Sequence, residues 1–364
     1  MATHRVATRH ALSCIALLAV VLAGCSATEE VTYEFDRSDP DVRGTGDEQI
    51  LAQLERRYRG DHHSVAAAVV AVDEVWTAFL AADGTTMFEI ASVTKPLTGL
   101  LLAAAIDRGE VSLDDRLGRF LDLGESDAAS VTLEQLATHR SGMPAVPPDA
   151  ELVREFDRQA AAGQDPDEGD LAQLLAHAAS VEVPADPPYE YSDMGAALLG
   201  HALAEAAGAD YGSALRERVL GPAGMETAVA VETSDQVPAA LAVGHSASNR
   251  PLAPWSFEAY TPATGVDASL DDLVALAEAV LSGPLRENPA LDAVAEVDAT
   301  TSIGYLWLID EHVDRTLAGH DGRSGGFGSS ILIDREAGTA SIVLRNSAGD
   351  AHGTALRLLS LADG

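Results

Sequence analysis

Strand-like runs stand at both ends of this chain, and a nearly unbroken helical pattern fills the space between them. On the N-terminal side, Ser64–Val72 and Val75–Ala81 are rich in Val and Ala and are joined by a short polar turn at Asp73-Glu74, the layout of a hairpin. On the C-terminal side, Thr301–Ile309, Arg315–Gly319, Gly328–Ile333 and Ala340–Arg345 have the same character, and a last helix is expected near Ala351–Leu361. Between them, Leu97–Arg108, Thr132–His139, Leu171–Ala179, Gly195–Ala207, Tyr211–Val219 and Leu270–Leu281 carry apolar residues three or four apart, with Pro- and Gly-rich joints separating them. A further amphipathic helix is expected around Asp47–Arg57. Strands need partners, so the two terminal sets are expected to find each other. The predicted fold class is α/β plus α: one antiparallel sheet built from both chain ends and flanked by helices, with a mainly helical domain inserted. The boundaries follow as 47–91 with 297–364 for the sheet domain and 92–296 for the helical one. No repeat at a fixed period is present.

The first 25 residues read as an address. MATHRVATRHALSCIALLAVVLAGC carries Arg5 and Arg9 and no acid, followed by an apolar run from about Ala11 to Ala23, the layout of a secretory signal. The run is short for a membrane-spanning helix. It closes on Leu22-Ala23-Gly24-Cys25, which resembles the bacterial lipoprotein box, where cleavage precedes a cysteine that takes a lipid. The expectation is a signal peptide over 1–24, a lipidated Cys25, and an acidic tether over 25–46. Such a chain works outside the cytoplasm, with the membrane as partner through Cys25, because acyl chains at one end give stable anchoring. Lys and Arg number 23 against 57 Asp and Glu, a formal charge of −34, so binding to nucleic-acid phosphates is excluded as a function class. Cys14 and Cys25 are the only cysteines, which excludes a disulfide framework.

One lysine stands among 22 arginines. It is Lys95, in Phe88-Glu89-Ile90-Ala91-Ser92-Val93-Thr94-Lys95-Pro96. A guanidinium cannot be deprotonated in a protein, whereas a desolvated amine can act as a base. Ser92 lies three residues earlier, so in the first turn of a helix the two side chains share one face. A serine hydroxyl becomes a nucleophile when a neighbour takes its proton, and a helix start adds N–H groups that stabilise an oxyanion. Pro96 disfavours ideal helical angles at Lys95, so a tightened or irregular turn is expected there. Taken alone, Ser-x-x-Lys is equally a capping serine followed by a surface lysine.

Further segments carry a resemblance. Ser92-Val93-Thr94-Lys95, Leu136-Ala137-Thr138-His139-Arg140-Ser141-Gly142-Met143-Pro144, Tyr189-Glu190-Tyr191-Ser192-Asp193-Met194-Gly195 and Gly319-His320-Asp321-Gly322-Arg323-Ser324-Gly325-Gly326-Phe327 occur in that order. Over about residues 47–346 the chain resembles the serine β-lactamase and penicillin-binding protein-like superfamily, specifically the class C β-lactamase-related esterases and D-aminopeptidases. The resemblance implies a serine hydrolase that uses no metal or organic cofactor and acts on a small-molecule or peptide substrate. It implies that Ser92 forms an acyl-enzyme, that Lys95 and Tyr191 share one proton, and that the N–H groups of Ser92 and Arg323 form the oxyanion hole. Asp193, His320, Gly322 and Arg323 then lie on the substrate side.

The chain departs from that pattern twice. Asp193 stands where Asn is commoner, and a carboxylate beside Lys95 keeps the amine protonated, favouring Tyr191 as the base. His320 stands where lactamases carry a permanent cation, so a substrate carboxylate is poorly matched, although Arg323 is placed to compensate. Esterase or D-amino-acid peptidase activity is therefore expected over efficient β-lactamase activity. The alternative is a catalytically silent, lipid-anchored binding protein for cell-wall fragments or peptides.

Three rival motifs are weaker. Gly322-Arg323-Ser324-Gly325-Gly326 matches a Gly-x-Ser-x-Gly elbow but is followed by strand-like residues, not a helix. His62-His63 and His201 with Glu205 lack metal-ligand spacing and read as exposed or helix-face histidines. Asp165-Pro166-Asp167-Glu168-Gly169-Asp170 places its glycine one position early for an EF-hand and reads as a solvated acidic loop.

Overall fold

The computed structural model describes residues 44–58, 64–147, 149–166, 169–312 and 314–362. In chain order its strands are β1 (Thr45–Gly46), β2 (Val65–Ala71), β3 (Glu74–Leu80), β4 (Met87–Glu89), β5 (Val229–Ala230), β6 (Val266–Ser269), β7 (Ala295–Glu296), β8 (Thr301–Ile303), β9 (Leu308–Glu311), β10 (Thr316–Arg323), β11 (Gly328–Asp334) and β12 (Thr339–Arg345). Nine of them form one antiparallel sheet in the order β1-β3-β2-β12-β11-β10-β9-β8-β7. The seam between the chain ends is β2 against β12, in register from Val65↔Arg345 to Ala71↔Thr339. A sheet built from both ends, as expected, is what the chain forms.

The helices are α1 (Glu48–Tyr58), α2 (Thr94–Asp107), α3 (Leu133–Ala137), α4 (Ala150–Ala162), α5 (Leu171–Ala179), α6 (Asp193–Ala207), α7 (Tyr211–Leu215), α8 (Thr261–Thr264), α9 (Leu270–Leu281) and α10 (His352–Leu359). They explain why the central strands read as continuous apolar runs. Successive side chains of a strand face opposite ways. Val65, Ala67 and Val69 pack with Ile50 and Leu54 of α1 and Leu358 of α10, whereas Ala66, Ala68 and Val70 join the larger core with Leu97, Leu101 and Leu273. Both faces are covered, so neither needs to be polar.

Several elements differ from the sequence expectation. The hairpin turn falls at Val72-Asp73, one residue earlier than expected, since Ala71 pairs with Glu74. Thr301–Ile309 is two strands, because the chain dips into the core between them. Leu306 takes a left-handed backbone at φ +59°, its N–H donates to Ala137 O, and the buried Trp307 donates its Nε1–H to Pro96 O at 3.2 Å. The stretch between His139 and Leu171, where the apolar spacing gave no helix, holds α4. Asp149 caps it by accepting from the N–H groups of Glu151 and Leu152, and Gly163 ends it at φ +75°. The Tyr211–Val219 helix ends α-helical at Leu215 and continues as a wider π turn over Arg216–Leu220.

A small sheet, β4-β6-β5, was not anticipated. It matters because β4 runs directly into the segment that carries Ser92.

Candidate active site

The chain leaves β4 through a 3₁₀ turn at Ala91–Val93 before α2 begins at Thr94; the irregularity expected at Lys95 falls upstream of it, and Lys95 itself is α-helical. Ala91 adopts φ +47°, a left-handed conformation costly for a residue with a Cβ. The turn is clamped on all sides. Ile90 N–H donates to Val266 O of β6, Thr94 Oγ1 accepts from Val266 N–H, and Ser329 Oγ of β11 donates to Ile90 O at 2.7 Å. β10 presses against it through Gly322: a Cβ there would lie 2.1 Å from Ile90 O, so no other residue allows this approach.

Lys95 is fully buried, with none of its side chain exposed. Its Nζ donates to Ser92 Oγ at 3.1 Å and to Ala263 O at 3.0 Å, and lies 2.5 Å from Asp193 Oδ1. It also sits 4.9 Å from the centroid of the Tyr191 ring. Ser92, Lys95, Tyr191 and Asp193 thus form one cluster centred on the ammonium. Asp193 opens α6, where Ser192 caps the helix by accepting from Gly195 N–H.

Burial pushes the Lys95 pKa down, but Asp193 and Tyr191 outweigh it and the net direction is up. The Tyr191 pKa also rises: burial and the Asp193 carboxylate outweigh the ammonium. An ammonium alone would lower a phenol's pKa; here burial first, and the Asp193 carboxylate second, outweigh it.

His320 on β10 lies 5.9 Å from Tyr191, ring to ring. Burial and the Lys95 charge push its pKa down to about 4, so the ring is neutral at pH 7. Its Nδ1 faces Asp321 O at 2.7 Å. Arg323 ends β10. Ser324 N–H donates to Phe327 O across the turn, so by the alternation of an antiparallel ladder the Arg323 N–H points away from β11. β9 pairs with β10 only as far as Gly319, leaving that edge free. The Arg323 guanidinium reaches Asp350 at 3.5 Å.

Other residues of the region escaped sequence reasoning. Glu89 and Asp267 are direct cross-strand partners on β4 and β6, both buried. Glu89 accepts from Trp255 N–H at 3.0 Å, and burial raises its pKa to about 7. Burial, with Glu89 alongside, raises Asp267 well above the usual carboxylate range. Trp255 covers Gly325 and meets Phe156 of α4 at 5.7 Å, so α4 and the chain around Trp255 converge on the turn after Arg323.

The rival motifs do not assemble. Ser324 precedes a strand, β11, rather than a helix. His201 contacts Ala259 O at 2.8 Å, and among the described residues no His, Cys, Asp or Glu cluster has a metal-holding arrangement. Asp165 is not simply solvated: it accepts from Ser256 N–H at 2.8 Å and from its hydroxyl. Cys25, His62, His63, Asp167 and Glu168 lie outside the described residues.

Comparison with known proteins places this arrangement. The class C β-lactamase of Rhodobacter sphaeroides shares the fold, with a TM-score of 0.72 at 20% identity over 86% of this chain and 99% of that one. Esterase EstB of Burkholderia gladioli is 29% identical over 72% of this chain and 78% of its own. Beta-lactamase-like protein 2 of Dictyostelium discoideum is 32% identical over 37% of this chain and a quarter (25%) of its own length. Residues 51–363 match the beta-lactamase family, and with Ser92 and Lys95 in hydrogen-bond contact at the head of α2 the chain belongs to that family of serine hydrolases.

Proposed function

We propose that this protein cleaves an ester or amide through an acyl-enzyme on Ser92, outside the cytoplasm and held to a membrane by a lipid on Cys25. The observation that carries the catalytic reading is the burial of Lys95: its ammonium is withdrawn from water and directed at the Ser92 hydroxyl. In this reading Tyr191 carries the proton from Ser92 Oγ to the leaving group. Lys95, held charged by Asp193, stabilises the phenolate that forms when the pair has lost a proton. The outward N–H of Arg323 and that of Ser92 receive the developing oxyanion.

An uncharged acyl substrate suits the site best, with esters or D-amino-acid amides ahead of β-lactams. His320 is neutral, the Lys95 charge is matched by Asp193, and the Arg323 guanidinium is engaged by Asp350, so no unpaired cation among these groups awaits a substrate carboxylate. The likeness to an esterase points the same way.

Labelling by a fluorophosphonate probe, together with turnover of a simple aryl ester, a chromogenic cephalosporin and a D-amino-acid amide, tests this. Labelling abolished by Ser92→Ala, with the ester or amide turned over faster than the cephalosporin, is the expected result. Absence of labelling in the intact protein would establish instead a silent binding protein of the same fold. For the anchor, membrane association lost in Cys25→Ala is expected; retention would remove the lipid from the proposal.

A further inference from the structure

Tyr191 belongs to no helix or strand; it sits in irregular chain before α6. A single residue brackets it. The carbonyl O of His139 accepts from Glu190 N–H at 2.8 Å, and His139 Nδ1 accepts from Ser192 N–H at 3.2 Å. These are the two amides on either side of Tyr191. The His139 ring also lies 4.7 Å from the Tyr191 ring, tilted 40°, and meets Tyr189 edge-on at 5.9 Å.

This bracket needs a neutral imidazole, since a protonated Nδ1 has no lone pair to accept with. Burial, then the charge of Lys95, holds the His139 pKa well below its ordinary value. With Nδ1 accepting, the ring proton resides on Nε2. The backbone supplies the other half of the device. His139 takes φ +53° as the chain leaves α3, which turns its carbonyl toward Glu190; histidine is among the few residue types enriched in that region.

We infer that His139 is a positioning residue: it fixes the Tyr191 phenol against Ser92 and Lys95 while leaving the reacting atoms untouched. Bonds to the amides before and after residue 191 restrain its backbone, and the packed ring restrains the plane of the phenol. The inference rests on the reading of Tyr191 as the proton carrier. A displacement of about 1 Å in such a group costs on the order of 100-fold in rate.

The test uses the full-length protein and a simple aryl ester. His139→Gly keeps the left-handed backbone and the carbonyl but removes the ring; His139→Asn returns an amide oxygen near the place of Nδ1 and tolerates the same backbone. His139→Gly is expected to lower kcat about 100-fold with KM within about threefold, and His139→Asn to recover about tenfold of that loss. In a Tyr191→Phe background, with no hydroxyl left to place, either substitution is expected to cost no more than about twofold. Losses that multiply in that background, or an Asn variant no better than Gly, overturn the inference. If thermal melts show that the Gly variant does not fold, the Asn variant alone carries the cycle with the same criterion. An unchanged kcat in Tyr191→Phe by itself overturns the assignment of Tyr191, and this inference with it.

Discussion

Asp193 Oδ1 lies 2.5 Å from Lys95 Nζ, an ion pair in which the lysine is wholly buried and the aspartate about one-third exposed. The carboxylate raises the pKa of both Lys95 and Tyr191. The pair therefore holds an extra proton at neutral pH, and proton transfer from Ser92 requires that one be lost. The rate of ester hydrolysis should rise with pH until that loss is complete. In Asp193→Asn the rise should move to lower pH by about 1 unit or more, making the variant the faster enzyme near neutrality. A pH–rate profile that does not move would show that Asp193 does not set the protonation of the pair.

Lys95→Arg keeps a positive charge and loses everything else the position requires. A planar guanidinium is too large for the space bounded by Ser92 Oγ, Ala263 O and Asp193, so it cannot set its charge beside the Tyr191 phenol as the compact ammonium does. Turnover of an aryl ester should fall by about 10²–10⁴-fold. A variant that folds by circular dichroism and retains a tenth of the activity would mean the amine has no part in the chemistry.

Gly322→Ala should separate β10 from the Ser92 turn. The added Cβ meets Ile90 O at 2.1 Å and Ser329 Oγ at 2.3 Å, and the backbone atom cannot rotate aside. Because the outward N–H of Arg323 is one residue further on, the oxyanion contact should be lost with the approach, lowering kcat by about 10²–10³-fold. A kcat within fivefold of wild type would show that the edge of β10 does not serve the reaction.

The buried Glu89–Asp267 pair gives the fold a pH dependence. Both carboxyls have folded pKa values raised by burial, Glu89 to about 7, so the folded state binds protons that the unfolded chain releases. Their contribution is complete below the ordinary carboxylate range and is lost as pH rises through the folded values. For Glu89 alone the loss between acid and alkaline pH is on the order of 3 kcal/mol. Thermal melts should therefore drop in Tm from about pH 5 to pH 8, and Glu89→Gln should flatten that slope. An equally steep slope in Glu89→Gln would assign the dependence to other groups.

How much of this could be read beforehand depends on the range of the interaction. The Ser92 to Lys95 contact is local, set by spacing within one turn, and was legible as soon as the lone lysine was noticed. The α4 signals, Asp149 and Gly163, were local too, but Pro-rich flanks masked them. Tyr191 and His320 could be nominated only through the resemblance, since three separate segments bring them to the serine. The phenol's raised pKa was beyond reach because it reflects a three-way balance of burial, Lys95 and Asp193. His139 stood in plain sight within Leu136–Pro144. Its grip on Tyr191 depends on a left-handed backbone that sequence does not announce.

The seam that pairs Val65 with Arg345 has a consequence for how the molecule comes into being. A ribosome releases β2 and β3 well before β12, the neighbour that completes their sheet, and the helices from α2 to α9 are made in between. Contacts between such distant positions slow folding, since a long loop must close before its reward is collected. The central sheet of the nascent chain thus stays unfinished until β12 has been made.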